Sequence, residues 1–295
     1  MPEKRTILVT GATGQQGGAV AHALLRRGHA VRALTREPDG PAAKALTSAG
    51  AQIVAGSFDE PATIVAAAHG ADSAYLMGNF YESGFDGEAR QGIAAAEAMK
   101  TAGVGHLIYS SVGSANRATK IPHFDSKFLV EEHIRTLGVP FTISAPVAFM
   151  ENLVAPWALG ALRGGTLAGV LPPERALQLV SLHDIGEFVV SLVDRRESVF
   201  GRRFDIAGDE VTGSEQARDL AAAIGKPVAY QQIPLEAVRQ QSEDTAIMAE
   251  WFDRVGYSAD ITGLRRDFPE VVWQRFSDWA RQENWSLLDQ PAKWA

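Results

Sequence analysis

The chain contains no cysteine, which excludes disulfides, thiolate metal sites and cysteine nucleophiles together. The fold must stand on packing. No run approaches the roughly 18 to 20 apolar residues that a bilayer span needs, and the short charged opening from Met1 to Arg5 leads straight into a strand-like segment. A cytoplasmic protein without a membrane partner is expected. Positive charge is in deficit: 28 Lys+Arg against 35 Asp+Glu leave a net charge of -7, so no overall field draws the chain directly onto nucleic acid. The seven histidines are scattered and H-E-x-x-H is missing, so no metal is expected. The G-x-S-x-G elbow of α/β-hydrolases is missing as well. What is present is 295 residues, 46% hydrophobic and 21% charged, a globular composition able to bury a large core.

Short apolar or β-branched runs alternate with Ala/Leu-rich stretches at helical spacing, the pattern of βα units around a parallel sheet. Strands are expected at Thr6–Val9, Ala30–Leu34, Gln52–Ala55, Ser73–Met77, His106–Ser110 and Phe141–Ser144. Both faces of such uniformly apolar strands should be covered. Helices are expected between them at 17–27, 41–49, 61–69, 88–102 and 124–137, several ending at a glycine. Past Pro146 the rhythm is broken by Pro156, the glycines between 160 and 169 and Pro172-Pro173. Strands at 177–180, 203–206 and 228–233 then alternate with helices at 182–193, 214–224 and 235–255, and Thr212 to Glu215 fits a capping box. A last amphipathic stretch, Val271 to Trp285, carries Trp273, Phe276 and Trp279 at helical spacing. The expected fold is a Rossmann-type doubly wound α/β sheet over residues 1–150, with a smaller α/β substrate-side lobe over 151–295 packed on it.

Thr6-Ile-Leu-Val-Thr10, then Gly11-Ala-Thr13-Gly14-Gln15-Gln16-Gly17, then an apolar helix is the strand, glycine turn and helix that dinucleotide binding requires. Gly11 permits the turn, Gly14 lets backbone approach a pyrophosphate, and Gly17 lets helix sit close to strand. The helix start presents free backbone donors to phosphate. The spacing is G-x-x-G-x-x-G, one residue longer in its first gap than G-x-G-x-x-G. At the end of the second strand, Arg36 is placed to pair with a 2'-phosphate, which selects NADP(H) over NAD(H). The adjacent Glu37 is the alternative, as a ribose ligand. Ser57 and Phe58, after the third strand, are placed to border the adenine.

These residues carry a likeness. Gly11 to Gly17, His106-Leu-Ile-Tyr-Ser110-Ser111, His123-Phe-Asp-Ser-Lys127 and Pro146-Val-Ala-Phe149-Met-Glu-Asn152 resemble the NmrA-like family of atypical short-chain dehydrogenase/reductases, from Thr6 to about Val238. The stretch from His123 to Asn152 is most similar to its NADPH-sensor branch, while other relatives reduce quinones, azo dyes and triphenylmethane dyes. The resemblance implies that Lys127 holds the nicotinamide ribose, that Met77 and Gly78 line the cofactor groove, and that Pro146 and Phe149 border the nicotinamide. Two departures stand out. His123 occupies the position of the usual tyrosine in Tyr-x-x-x-Lys, and Ala145 stands where the family has Arg before the proline. A helix reaching back to His123 would put its imidazole and Lys127 on one face, and His can act as a general acid near neutral pH.

Ser110 and Ser111, at a strand end, are expected to hydrogen-bond substrate or ribose. Trp251-Phe252 and Trp279 are placed either to line a pocket or to pack. Two functions follow. One is an NADPH-dependent reductase passing hydride to a small flat quinone, azo or enone acceptor, with Lys127 and His123 as catalytic residues or water as proton donor. The other is a non-catalytic NADP(H) sensor acting on a regulatory protein partner such as a transcription factor.

Overall fold

The computed structural model describes residues 3–289. Met1 and Pro2 of the charged opening, and residues 290–295 of the expected second lobe, lie outside the described residues. The main sheet holds seven parallel strands in the order β10-β6-β5-β4-β1-β2-β3. They are β1 (Thr6–Val9), β2 (Ala30–Thr35), β3 (Gln52–Ala55), β4 (Ser73–Met77), β5 (Leu107–Ser110), β6 (Phe141–Pro146) and, after three strands outside this sheet, β10 (Arg203–Ile206). Strand order reverses between β1 and β4, the position where doubly wound sheets open a crevice at their carboxyl edge. Helices α1 (Gln15–Arg27), α2 (Pro41–Ser48), α3 (Pro61–Ala68), α4 (Phe80–Thr101) and α5 (Pro122–Thr136) make the crossovers, followed by α6 (Pro156–Arg163) and α7 (Leu182–Asp194).

Apolar residues on opposite strand faces bury into two layers. One joins Ile7 and Val9 to Val20, Leu24, Ile185 and Phe188 of α1 and α7. The other joins Leu8, Leu76 and Leu107 to Ile64, Met99 and Val130 of α3, α4 and α5. Edge strand β3 is the exception to coverage on both faces: Gln52 and Ala55 are exposed at the sheet's rim, where no further strand pairs among the described residues.

The chain crosses residue 150 freely. Both α7, which packs on α1, and β10, which extends the sheet beside β6, come from beyond it. The remaining strands build the lobe. β7 (Ala148–Phe149) and β11 (Asp209–Thr212) flank β9 (Ala176–Val180) in one small sheet, and β8 (Thr166–Gly169) pairs with β12 (Ala229–Gln232) in another. Phe276 and Trp279 sit in the lobe's core.

Beyond shifts of one or two residues at helix ends, three expected helices differ. The one expected from residue 88 begins at Phe80, and Gly84 (φ 67°, ψ -173°) breaks it, so its first turn is a separate piece folded over the crevice. The one expected over 235–255 is two, Leu235–Gln241 and Glu243–Arg254, because Ser242 turns extended and its hydroxyl accepts the Thr245 N–H. Of Val271 to Trp285 only Phe276–Gln282 is α-helical, and a 3-10 turn starts at Trp285. Trp273 packs against Phe188 under the main sheet, and Trp279 packs in the lobe, so the aromatic spacing reflects two cores and not one helix face. The capping box at Thr212 and Glu215 forms as expected.

Candidate active-site cleft

Two contiguous cavities run along the carboxyl edge at the strand-order reversal. The first, about 360 Å³, is walled by the glycine turn, the ends of β2 and β3 and the residues after β4. The second, about 730 Å³, shares Gly14, Met77 and Gly78 with it and continues between α5 and the lobe.

The turn is built by close approach. Gly11 has φ +62°, and a Cβ on Gly17 would lie 2.2 Å from the Gly11 carbonyl oxygen, so only glycine seats α1 this tightly on β1. A Cβ on Gly14 would meet nothing nearer than that same oxygen at 3.4 Å, which leaves its bare face toward the groove. The first intrahelical bond runs from Gly18 N–H to the Gly14 carbonyl at 2.9 Å. The N–H groups of Gln15, Gln16 and Gly17 therefore have no intrahelical acceptor. Thr13 borders the same cavity, whereas Gly17 lies behind the wall.

The Gln16 side chain is tied into the framework. Its amide donates to Tyr75 Oη at 2.9 Å and Ser110 Oγ at 2.8 Å, tying β4 to β5 beneath the crevice, and the residue lines the second cavity. Ser111 departs from expectation. Its hydroxyl donates to buried Glu131, which pairs with Arg203 of β10 at 2.9 Å, so Ser111 is spent on the framework. Arg36 and Glu37 both border the first cavity with Ser57 and Phe58. The Arg36 guanidinium is 67% exposed and lies 3.1 Å from Glu82 Oε1, on the separate first turn of α4.

His123 and Lys127 share one face of α5 and open together into the second cavity, with Pro146 and Phe149. The helix starts at Pro122 and so includes His123. The Lys127 ammonium pairs with Glu88 Oε1, and the Ser126 hydroxyl donates to Glu88 Oε2 at 2.5 Å. Glu88 itself is buried. His123 Nδ1 lies 2.9 Å from Asp244 Oδ1, which also accepts the His123 backbone N–H at 3.2 Å. A carboxylate at Nδ1 assigns the proton there in the neutral ring and leaves Nε2 as the second ring nitrogen. The rings of Phe80 and Tyr81 lie 5.5 and 6.3 Å from the imidazole.

Sequence reasoning missed Glu88 and Asp244. Nothing in the sequence separates Glu88 from the other acids of its helix, Glu82, Asp86 and Glu97. Nothing local marks the second, which reaches His123 from 121 residues away. Phe252 lines the second cavity, with Trp251 packed beside it. Among the described residues no group of His, Asp and Glu is arranged to hold a metal, and no helix is long and apolar enough to cross a membrane.

Comparison with known proteins fits this geometry. The model of the NmrA-like family matches residues 3–282. The chain belongs to the NmrA-like family. A (4-alkanoyl-5-oxo-2,5-dihydrofuran-3-yl)methyl phosphate reductase of Streptomyces griseus is 29% identical over 291 residues, covering 94% of this chain and 97% of that one. Among solved structures, NmrA, a negative transcriptional regulator, in complex with NADP superposes with a TM-score of 0.77 at 22% identity over 95% of each chain. An NADPH-dependent quinone oxidoreductase from Escherichia coli complexed with NADPH superposes with a TM-score of 0.78 at 22% identity, over 93% of this NmrA-like chain and 98% of its own.

Proposed function

We propose that this NmrA-like protein is an NADPH-dependent reductase of small, flat, electron-poor acceptors of the quinone, azo or enone type. The observation that carries the reading is a histidine and a lysine, each held by its own carboxylate, side by side in an apolar cavity that continues from a glycine turn.

The residues fit a dinucleotide. Gly14 leaves open the space a Cβ would fill, the first turn of α1 offers free N–H donors, and Arg36 stands at the cavity mouth. Gly11, Thr13, Gly14 and Gln15, with the backbone of Gln16, would hold the pyrophosphate; Ser57 and Phe58 the adenine; and Arg36 the 2'-phosphate that distinguishes NADP(H) from NAD(H). Met77, Gly78, Pro146 and Phe149 would line the path to the nicotinamide. Bound NADPH supplies a hydride at the second cavity. Lys127, oriented by Glu88, has further N–H donors for ribose hydroxyls. His123 delivers a proton from the ring nitrogen that Asp244 leaves unengaged, and Asp244 stabilises the imidazolium from which that proton leaves. The apolar walls hold a flat acceptor and exclude water. The Streptomyces relative, named for reducing a (4-alkanoyl-5-oxo-2,5-dihydrofuran-3-yl)methyl phosphate, and the E. coli quinone oxidoreductase support this acceptor class.

NADPH oxidation against a panel of quinone, enone and azo acceptors tests the proposal. His123→Phe should lower turnover about a hundred- to ten-thousandfold while NADPH affinity stays within about twofold, whereas Lys127→Ala should weaken binding and turnover together. Tight NADPH binding without turnover of any acceptor would overturn the enzyme and favour a sensor of NADP(H) that signals to a protein partner.

A further inference from the structure

The second cavity is mostly apolar, yet it contains three basic side chains: His123, Lys127 and Arg175. Two have a carboxylate of their own, Asp244 for His123 and Glu88 for Lys127. Arg175 has none within 4 Å among the described residues, although acids outnumber bases in this chain and Arg195, Arg203 and Arg239 each find one. Its protein partner is a single carbonyl. Nε and Nη2 both donate to the Phe252 oxygen, at 3.1 and 3.0 Å. A guanidinium carries five N–H donors in a rigid fork, so two are used and three remain.

The group is also held in place. Gly256 has φ +79°, and a Cβ there would lie 3.2 Å from Arg175 Nη2, so glycine lets the chain close over the guanidinium. Phe252 and Tyr257, in contact at 4.7 Å, form an aromatic wall that continues through Phe124 to His123. A half-buried cation beside such a wall costs desolvation that one neutral carbonyl offsets poorly. A fixed fork with three unused donors is the geometry that accepts a carboxylate or phosphate oxygen pair.

We propose that Arg175 anchors an acidic substituent of the substrate, so that the acceptor reduced here is a flat apolar molecule bearing one anionic group. The proposal rests on the reductase reading for the reaction but not for the binding. Arg175 is a specificity residue and not a catalytic one.

Paired probes separate the two. Fluorescence titration with anilinonaphthalene sulfonate and its uncharged counterpart phenylnaphthylamine reads the anchor without any turnover. Arg175→Gln should weaken the sulfonate about ten- to a hundredfold, the usual worth of a charge-assisted hydrogen bond, and shift the neutral dye by less than about twofold. Arg175→Lys, which keeps the charge, should restore part of the loss. In turnover, Arg175→Gln should raise KM for naphthoquinone sulfonate by a similar factor with kcat retained, and leave KM for naphthoquinone unchanged. Equal loss of both dyes, or undiminished sulfonate binding, overturns the anchor. Discrimination between the dyes in a protein that turns over neither quinone upholds the anchor and overturns the reductase reading alone.

Discussion

The two cavities touch, but they are made in opposite ways. The first draws its walls from Thr10 to Gln91, and its centre is one contiguous device of strand, turn and helix. The second reaches from Gly14 to Tyr257 and is completed by residues of the lobe and by Asp244 and Arg175. The first works through backbone: bare glycines and unpaired N–H groups suit a pyrophosphate, whose chemistry is constant. The second works through side chains, each fixed by a distant partner, and side chains can vary with the substrate. On the proposed reading, recognition of the invariant part of a ligand is local in the chain, and recognition of the variable part is composite.

The largest expected effects test whether the glycine end divides further into fold and function. Gly17→Ala places a methyl group 2.2 Å from the Gly11 carbonyl oxygen. It should cost about 3 kcal/mol, as severe overpacking does, and lower Tm by roughly 6 °C or more. Gly14→Val meets only ordinary contacts and should lose about 1 kcal/mol, the difference between glycine and an apolar residue at an N-cap. Its NADPH affinity should nevertheless fall more than about a hundredfold, because the side chain fills the approach to the pyrophosphate. Melting curves and NADPH titrations of the two variants should therefore rank them in opposite order for stability and, among the folded molecules, show binding lost at Gly14. A Gly14→Val protein with unchanged affinity would make the turn only a turn.

An intermediate effect belongs to the composite end. Glu151 follows Met150 in the cleft wall and accepts the Leu182 N–H at 2.9 Å, joining that wall to α7. Burial pushes its carboxyl up to about 7, against the opposing effect of that hydrogen bond, and its other oxygen has no hydrogen-bond partner among the described residues. A carboxyl raised in the folded state holds its proton there after the unfolded chain has released it. Stability should therefore be intact below about pH 4.5, fall as pH rises toward 7, and level off beyond, by at most about 3 kcal/mol. Glu151→Gln keeps an acceptor for Leu182 without the charge. Thermal melts from pH 5 to 8 should show the variant near wild type at the acid end and several degrees above it at pH 8. Parallel curves would remove Glu151 from the pH response.

The smallest effects lie where the glycine end meets solvent. Arg36→Ala should weaken NADPH about tenfold, the low end of a charge-assisted contact for so exposed a side chain, with NADH unmoved. Equal loss of both would pass the reading to Glu37 as a ribose ligand. Glu82 pairs with the Arg36 guanidinium and so would compete with the 2'-phosphate proposed to bind there. An exposed ion pair is worth at most about 1 kcal/mol, so Glu82→Gln should tighten NADPH by no more than about fivefold, and less in high salt.

Most of the parallel sheet was legible in the sequence, because a strand covered on both faces must be a short apolar run and a crossover helix must show its 3.6-residue stripe. The exceptions have local causes that periodicity does not carry: a glycine that breaks α4, a serine that splits 235–255, and two tryptophans that answer to different cores. The glycine end was legible for the same reason as the strands, since a turn geometry dictates its residues within one short segment. That His123 and Lys127 share a face followed from their spacing once α5 began at Pro122. Their carboxylate partners did not follow, nor did the engagement of Gln16 and Ser111 in the framework, nor the bare guanidinium of Arg175. The sequence by itself determined where backbone must bend, cross over and face an anion, because those demands act on neighbours along the chain. Only the tertiary structure decided which side chains are paired and which are left free, because a carboxylate's field acts over a few ångströms of space regardless of how many residues lie between.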